Sequence, residues 1–67
     1  MSRVKFDVDE ALTIRRHLLT LEPRNAVEAD FIRDVAFRVQ GNAARGFGTE
    51  FSSKQGKWLL GLLSRVE

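Results

Sequence analysis

The 67-residue sequence has no cysteine and no tyrosine, and only one histidine, one tryptophan and one proline. Without cysteine there is neither a disulfide framework nor a thiolate nucleophile or metal ligand, so the expected setting is a reducing cytoplasm. The apolar run Trp58-Leu59-Leu60 is far shorter than the roughly 20 residues that cross a bilayer. Met1-Ser2-Arg3-Val4-Lys5 leads into acidic residues instead of a signal-peptide core, which predicts an unprocessed, soluble chain. Catalysis has little to work with. His17 lies on the polar side of a predicted helix beside Arg16, where a solvated imidazole is the ordinary outcome, and Ser52 and Ser53 read as helix caps. Asp7, Asp9 and Glu10 cluster at a helix start, yet the central glycine and distal glutamate of a calcium loop are missing. The chain is therefore expected to be no enzyme, and to hold no metal and no cofactor.

Length bounds the rest. A chain this short builds one domain with one small core, residues 1–67, and its apolar residues are needed for that core, which leaves little volume for a ligand pocket. Net charge is +2, from eleven Lys or Arg against nine Asp or Glu, with the signs interspersed. The candidate basic patch falls in the last third, at Arg45, Lys54, Lys57 and Arg65. Arginine outnumbers lysine eight to three, the bias of protein interfaces, although a GC-rich genome produces the same bias.

Residues 3–8 alternate polar and apolar at the period of a strand. With no partner strand in view, they are expected to form an extended arm that tucks Val4 and Phe6 onto helices, or else to pair with another protein. Asp7 or Asp9 caps a first helix over 8–20, with Ala11, Ile14, Leu18 and Leu21 in one stripe and Val8, Leu12 and Leu19 beside it. Pro23 ends that segment. Asn25 and Glu28 resemble a capping box for a second helix over 26–40, which stops where Gly41 supplies a left-handed C-cap. Phe37 projects from its polar side, either covered by the following loop or exposed for a partner.

Residues 41–50 carry three glycines and form the longest irregular stretch of this reading. Gly46-Phe47-Gly48 lacks the lysine and spacing of a phosphate-cradling loop, so the glycines are expected to let Phe47 fold back onto the core. Ser52-x-x-Gln55 is a capping box, preceded by Phe51, for a third helix over 53–65 whose inner face is Trp58, Leu59, Leu62, Leu63 and Val66. Gly56 and Gly61 each cost about 1 kcal/mol relative to alanine inside a helix. Close backbone approach of another helix, within the domain or across a homo-oligomer, would account for them, as would marginal local helicity without a function.

Residues 29–63 resemble a helical module of small phage and plasmid proteins. The likeness lies in Ala29-Asp30-Phe31-Ile32 through Val39, a Gly-containing loop, and Phe51-Ser52-Ser53-Lys54-Gln55-Gly56-Lys57-Trp58-Leu59-Leu60-Gly61-Leu62-Leu63, set against a Leu-Ser/Thr-x-Lys-Gln-x-x-x-Leu-x-x-Leu pattern. Gly56 and Gly61 depart from it, standing where good helix formers are usual. The resemblance implies a mobile-element protein, an accessory of DNA replication or recombination or an inhibitor of the anti-CRISPR kind, and it carries over no catalytic residue.

These readings converge on an all-α fold, a compact three-helix domain with an extended N-terminal arm and a core of Leu12, Leu18, Leu19, Phe31, Val35, Val39, Trp58, Leu59, Leu62 and Leu63. The expected function is non-catalytic docking on a larger host protein or nucleoprotein through Arg16, Arg33, Phe37, Arg38, Arg45 and Phe47. The alternative is a nucleic-acid-binding accessory whose phosphate contacts come from Arg45, Lys54, Lys57 and Arg65. No membrane partner is expected.

Overall fold

A computed structural model describes residues 3–65, in the order β1 (Val4–Phe6), α1 (Val8–Leu19), α2 (Ala26–Ala44), β2 (Thr49–Phe51) and α3 (Ser53–Leu63). The three helices are present, but the domain is not purely all-α. β1 pairs antiparallel with β2 in the register Val4–Phe51, Lys5–Glu50 and Phe6–Thr49. The partner that the N-terminal strand lacked in the sequence reading is thus Thr49-Glu50-Phe51, whose threonine and phenylalanine are buried and whose glutamate is exposed. Three residues are too few for alternation to register as a pattern.

Caps set the helix starts. The Asp7 side chain accepts from the Glu10 backbone N–H at 2.7 Å while Glu10 accepts from the Asp7 N–H at 3.1 Å, and Ser52 and Gln55 make the same reciprocal pair at 3.2 Å each. Asn25 accepts from the Glu28 N–H at 2.9 Å, but the Glu28 carboxylate reaches back one residue further, to the Arg24 N–H.

The second helix does not stop at Gly41. It continues to Ala44, has Arg45 as C-cap, and turns at Gly46, whose φ of 79° is the left-handed conformation first assigned to Gly41. Ala43 and Ala44 are strong helix formers, and Asn42 gains tertiary partners by staying helical: its side chain donates to the buried Thr49 hydroxyl at 3.1 Å, and its carbonyl accepts from the Phe47 N–H at 2.8 Å. The irregular segment therefore shrinks to residues 45–48. The third helix ends at Leu63 with Ser64 as C-cap, two residues short of the predicted 65, and Val66 lies outside the described residues.

The core is Ala11, Ile14, Leu18, Ile32, Val35, Val39, Phe51, Leu59 and Leu62, with Phe6, Leu21, Phe31 and Leu63 packed partly buried against it. Three predicted core residues are corrected. Leu12 is 38 % exposed, Leu19 53 % and Trp58 46 %, because each sits on the flank of its helix beside the buried stripe instead of within it. Their place is taken by Phe51, only 1 % exposed, which meets Phe6 edge-on at 6.0 Å and lies under the Arg38 guanidinium at 5.1 Å.

Two glycines make room for β1. A Cβ on Gly48 would collide with the Phe6 carbonyl oxygen and come within 3.1 Å of the Asp7 Cα, and one on Gly56 would sit 2.5 Å from Val4 Cγ2. What approaches Gly56 is thus the Val4 side chain of β1 and not the backbone of another helix. Gly41 and Gly61 have nothing within 4 Å. Gly41→Ala should therefore raise the melting temperature by about 4–8 °C, the equivalent of about 1 kcal/mol in a domain of this size. Gly48→Ala should lower it by at least as much, since backbone atoms must move; thermal denaturation followed by circular dichroism compares the two.

Candidate functional site

Two of the apolar regions on the described surface differ in chemistry. The first runs along the seam between α1 and α2. Successive turns of α2 place Ala29, Arg33, Ala36, Phe37 and Gln40 along one flank, and the end of α1 with the following turn adds Leu19 and Pro23. Together with Ile32 they line an open groove of about 330 Å³. Phe37 is 77 % exposed and stands at its edge. A second hollow on the outer side of Phe37 is lined by Asp30, Arg33 and Asp34, so the charged rim is of mixed sign. Arg15, partly buried on α1, donates to Gln40 at 3.3 Å and ties the two helices at that end.

The second region is built on α3. Trp58 meets Phe31 of α2 edge-on, with ring centroids 5.1 Å apart at 75°. One hollow beside the indole is lined by Phe31, Lys54 and Gln55, the other by Arg24, Glu28, Gly61, Leu62 and Arg65. Arg65 is held by two acceptors: Nη1 lies 2.9 Å from Glu28 Oε1 and Nη2 donates to the Glu22 carbonyl at 3.0 Å. These bonds fasten the residue after α3 to the first turn of α2 and to the α1–α2 connection. The Glu28 carboxyl is pulled below the ordinary range, first by the Arg24 backbone N–H it accepts and then by the Arg65 guanidinium.

Comparison of the chain with protein-family models, with curated proteins and with solved structures finds no match. The site must therefore be judged on its own chemistry.

The structure separates the residues named from sequence. Phe37 and Arg33 share the α1–α2 region, and Arg16 is exposed on α1. Arg38 is committed internally: besides covering Phe51 it donates to the Glu50 carbonyl at 3.0 Å. Phe37 is not covered by the following loop, and Phe47 does not fold back onto the core; it is 62 % exposed. Phe47 follows the left-handed Gly46 and precedes Gly48 beside β1, with exposed Arg45 capping α2. Of the four cations proposed for phosphates, Lys54 borders Trp58 and Lys57 is exposed on the same helix, whereas Arg65 is engaged by Glu28 and Arg45 belongs to the other loop. The sequence reading missed Leu19, Pro23 and Gln40 beside Phe37, and Phe31 and Arg24 beside Trp58. The place of Leu19 next to the central stripe of its helix was the available sign.

His17 is exposed in the last turn of α1, where its carbonyl accepts from the Thr20 hydroxyl at 2.7 Å. Among the described residues no group of three or more His, Cys, Asp or Glu side chains could hold a metal ion, and no helix is long and apolar enough to cross a membrane.

The lowered Glu28 pKa makes a stability prediction. A depressed folded-state pKa contributes stability that is complete above the unfolded carboxylate's pKa and is lost as pH falls through the folded value. Glu28→Gln should therefore lower the neutral plateau of a plot of melting temperature against pH and flatten its acid limb, and Arg65→Ala should flatten that limb only in part, because the Arg24 N–H still holds the carboxylate.

Proposed function

We propose that this is a non-catalytic binding protein that docks on a larger protein or nucleoprotein through the α1–α2 groove. The observation that carries the reading is the 77 % exposure of Phe37 next to half-exposed Leu19, on a rim where Arg33 stands among Asp30 and Asp34. A large aromatic held in water on a rigid helix loses little entropy when a partner covers it, and its burial is worth about 1.5–3 kcal/mol. The mixed rim neither attracts nor repels a polyanion strongly, so affinity at this face rests on desolvating the aromatic and fitting the groove floor. Phe37 and Leu19 are the anchors, with Arg33 supplying a directional polar contact; Arg16 is the further arginine on α1. Phe47 and Arg45 form a separate, smaller projection at the β2 loop. A mobile-element setting, as accessory or inhibitor, is supported by the likeness of residues 29–63 to phage and plasmid modules.

Phe37→Asp should leave the unfolding free energy within about 0.5 kcal/mol of wild type, because the side chain contributes little to the core. The same substitution should weaken partner capture from lysate of the source organism, or of its phage's host, by about 30-fold or more, the scale of a central interface anchor. Phe47→Asp should retain the same partner. Equal retention by wild type and Phe37→Asp would overturn the assignment of this face.

A further inference from the structure

The α3 surface differs from the groove in having cations without free acids. On a wheel of 100° per residue Lys57, Gly61, Lys54 and Trp58 fall within an arc of about 100°. All four are exposed, and neither lysine has an ion-pair partner among the described residues. Arg24 extends the same surface from the α1–α2 connection. Glu28 is the one carboxylate lining the two hollows beside the indole, and Arg65 already neutralises it at 2.9 Å. Phe31, meeting the tryptophan edge-on, can cover at most one face of the indole, which keeps 46 % of its surface in solvent.

We infer that this surface binds single-stranded nucleic acid, with an unpaired base stacked on Trp58 and the flanking phosphates on Lys54, Lys57 and Arg24. An aromatic ring set among unpaired cations matches both chemistries of a single strand, the π-face of a base and the charge of its backbone. Duplex is the poorer fit. Its bases are already stacked on one another, and three cations release too few counterions to hold it on charge alone. Gly61, with nothing within 4 Å of a Cβ built on it, leaves the part of the arc between Lys57 and Lys54 without a side chain, so a sugar-phosphate segment can lie against the helix there. This inference is independent of the Phe37 groove, which lies on other residues.

The chain's only tryptophan reports directly on its own occupancy. Titrating the protein with a short oligothymidylate at low salt should quench its fluorescence saturably, and the affinity should fall steeply as salt is raised. Lys54→Ala with Lys57→Ala, both at exposed sites, should weaken binding and reduce the slope of log K against log salt by about 0.7 for each lysine. Trp58→Ala, followed by anisotropy of a labelled strand after its fold is checked by circular dichroism, should bind about tenfold or more weakly. Phe37→Asp should bind the strand as wild type does. Absence of quenching at low salt, equal affinity for a duplex of the same length, or binding to anionic lipid vesicles in preference to the strand would each overturn the assignment.

Discussion

The fold depends on the burial of Phe51. This one side chain ends β2, precedes the cap of α3, stacks edge-on with Phe6 of β1 and carries the Arg38 guanidinium on its ring. Removing a phenylalanine from such a position costs about 3–5 kcal/mol. A domain of this length has about 3–10 kcal/mol of total stability, so that loss is a large part of the whole. The two glycines beside β1 serve the same end. Gly48 lets the backbone of the β2 loop approach Phe6, and Gly56 gives Val4 its seat on α3.

Helix starts were legible in the sequence because caps are local: Asp7, Asn25 and Ser52 each bond a backbone N–H three residues ahead. What lay hidden was long-range. The partnership of residues 4–6 with residues 49–51 joins segments some 45 positions apart; the first shows strand alternation in the sequence, but the second is too short to declare itself. Gly41 misled for a related reason, since a glycine can end a helix but tertiary contacts decide whether it does. Asn42 is held in α2 by Thr49 and Phe47, which no local rule anticipates. Leu19, beside the central stripe of its helix, and Trp58, on the expected inner face of the third, both fall on flanks that the structure leaves open to solvent. Their exposure is what gives the surface its character.

Burial also sorts the arginines. Arg38 and Arg65 spend their guanidinium groups on Glu50, Phe51, Glu22 and Glu28, so counting cations along the sequence overstates the charge available to a partner. What remains falls into two regions of unlike character, a mixed-sign apolar groove on α1 and α2 and a cationic aromatic surface on α3.

The pairing of β1 with β2 also orders events during synthesis. Until Phe51 has been made, the amino-terminal strand has no mate, Phe6 lacks its aromatic neighbour and the last helix does not exist. The α1–α2 hairpin, built from neighbouring segments, can assemble early, while closure of the sheet waits for residues 49–51. A nascent chain halted before that residue would display the apolar inner faces of its first two helices to the surrounding quality-control machinery.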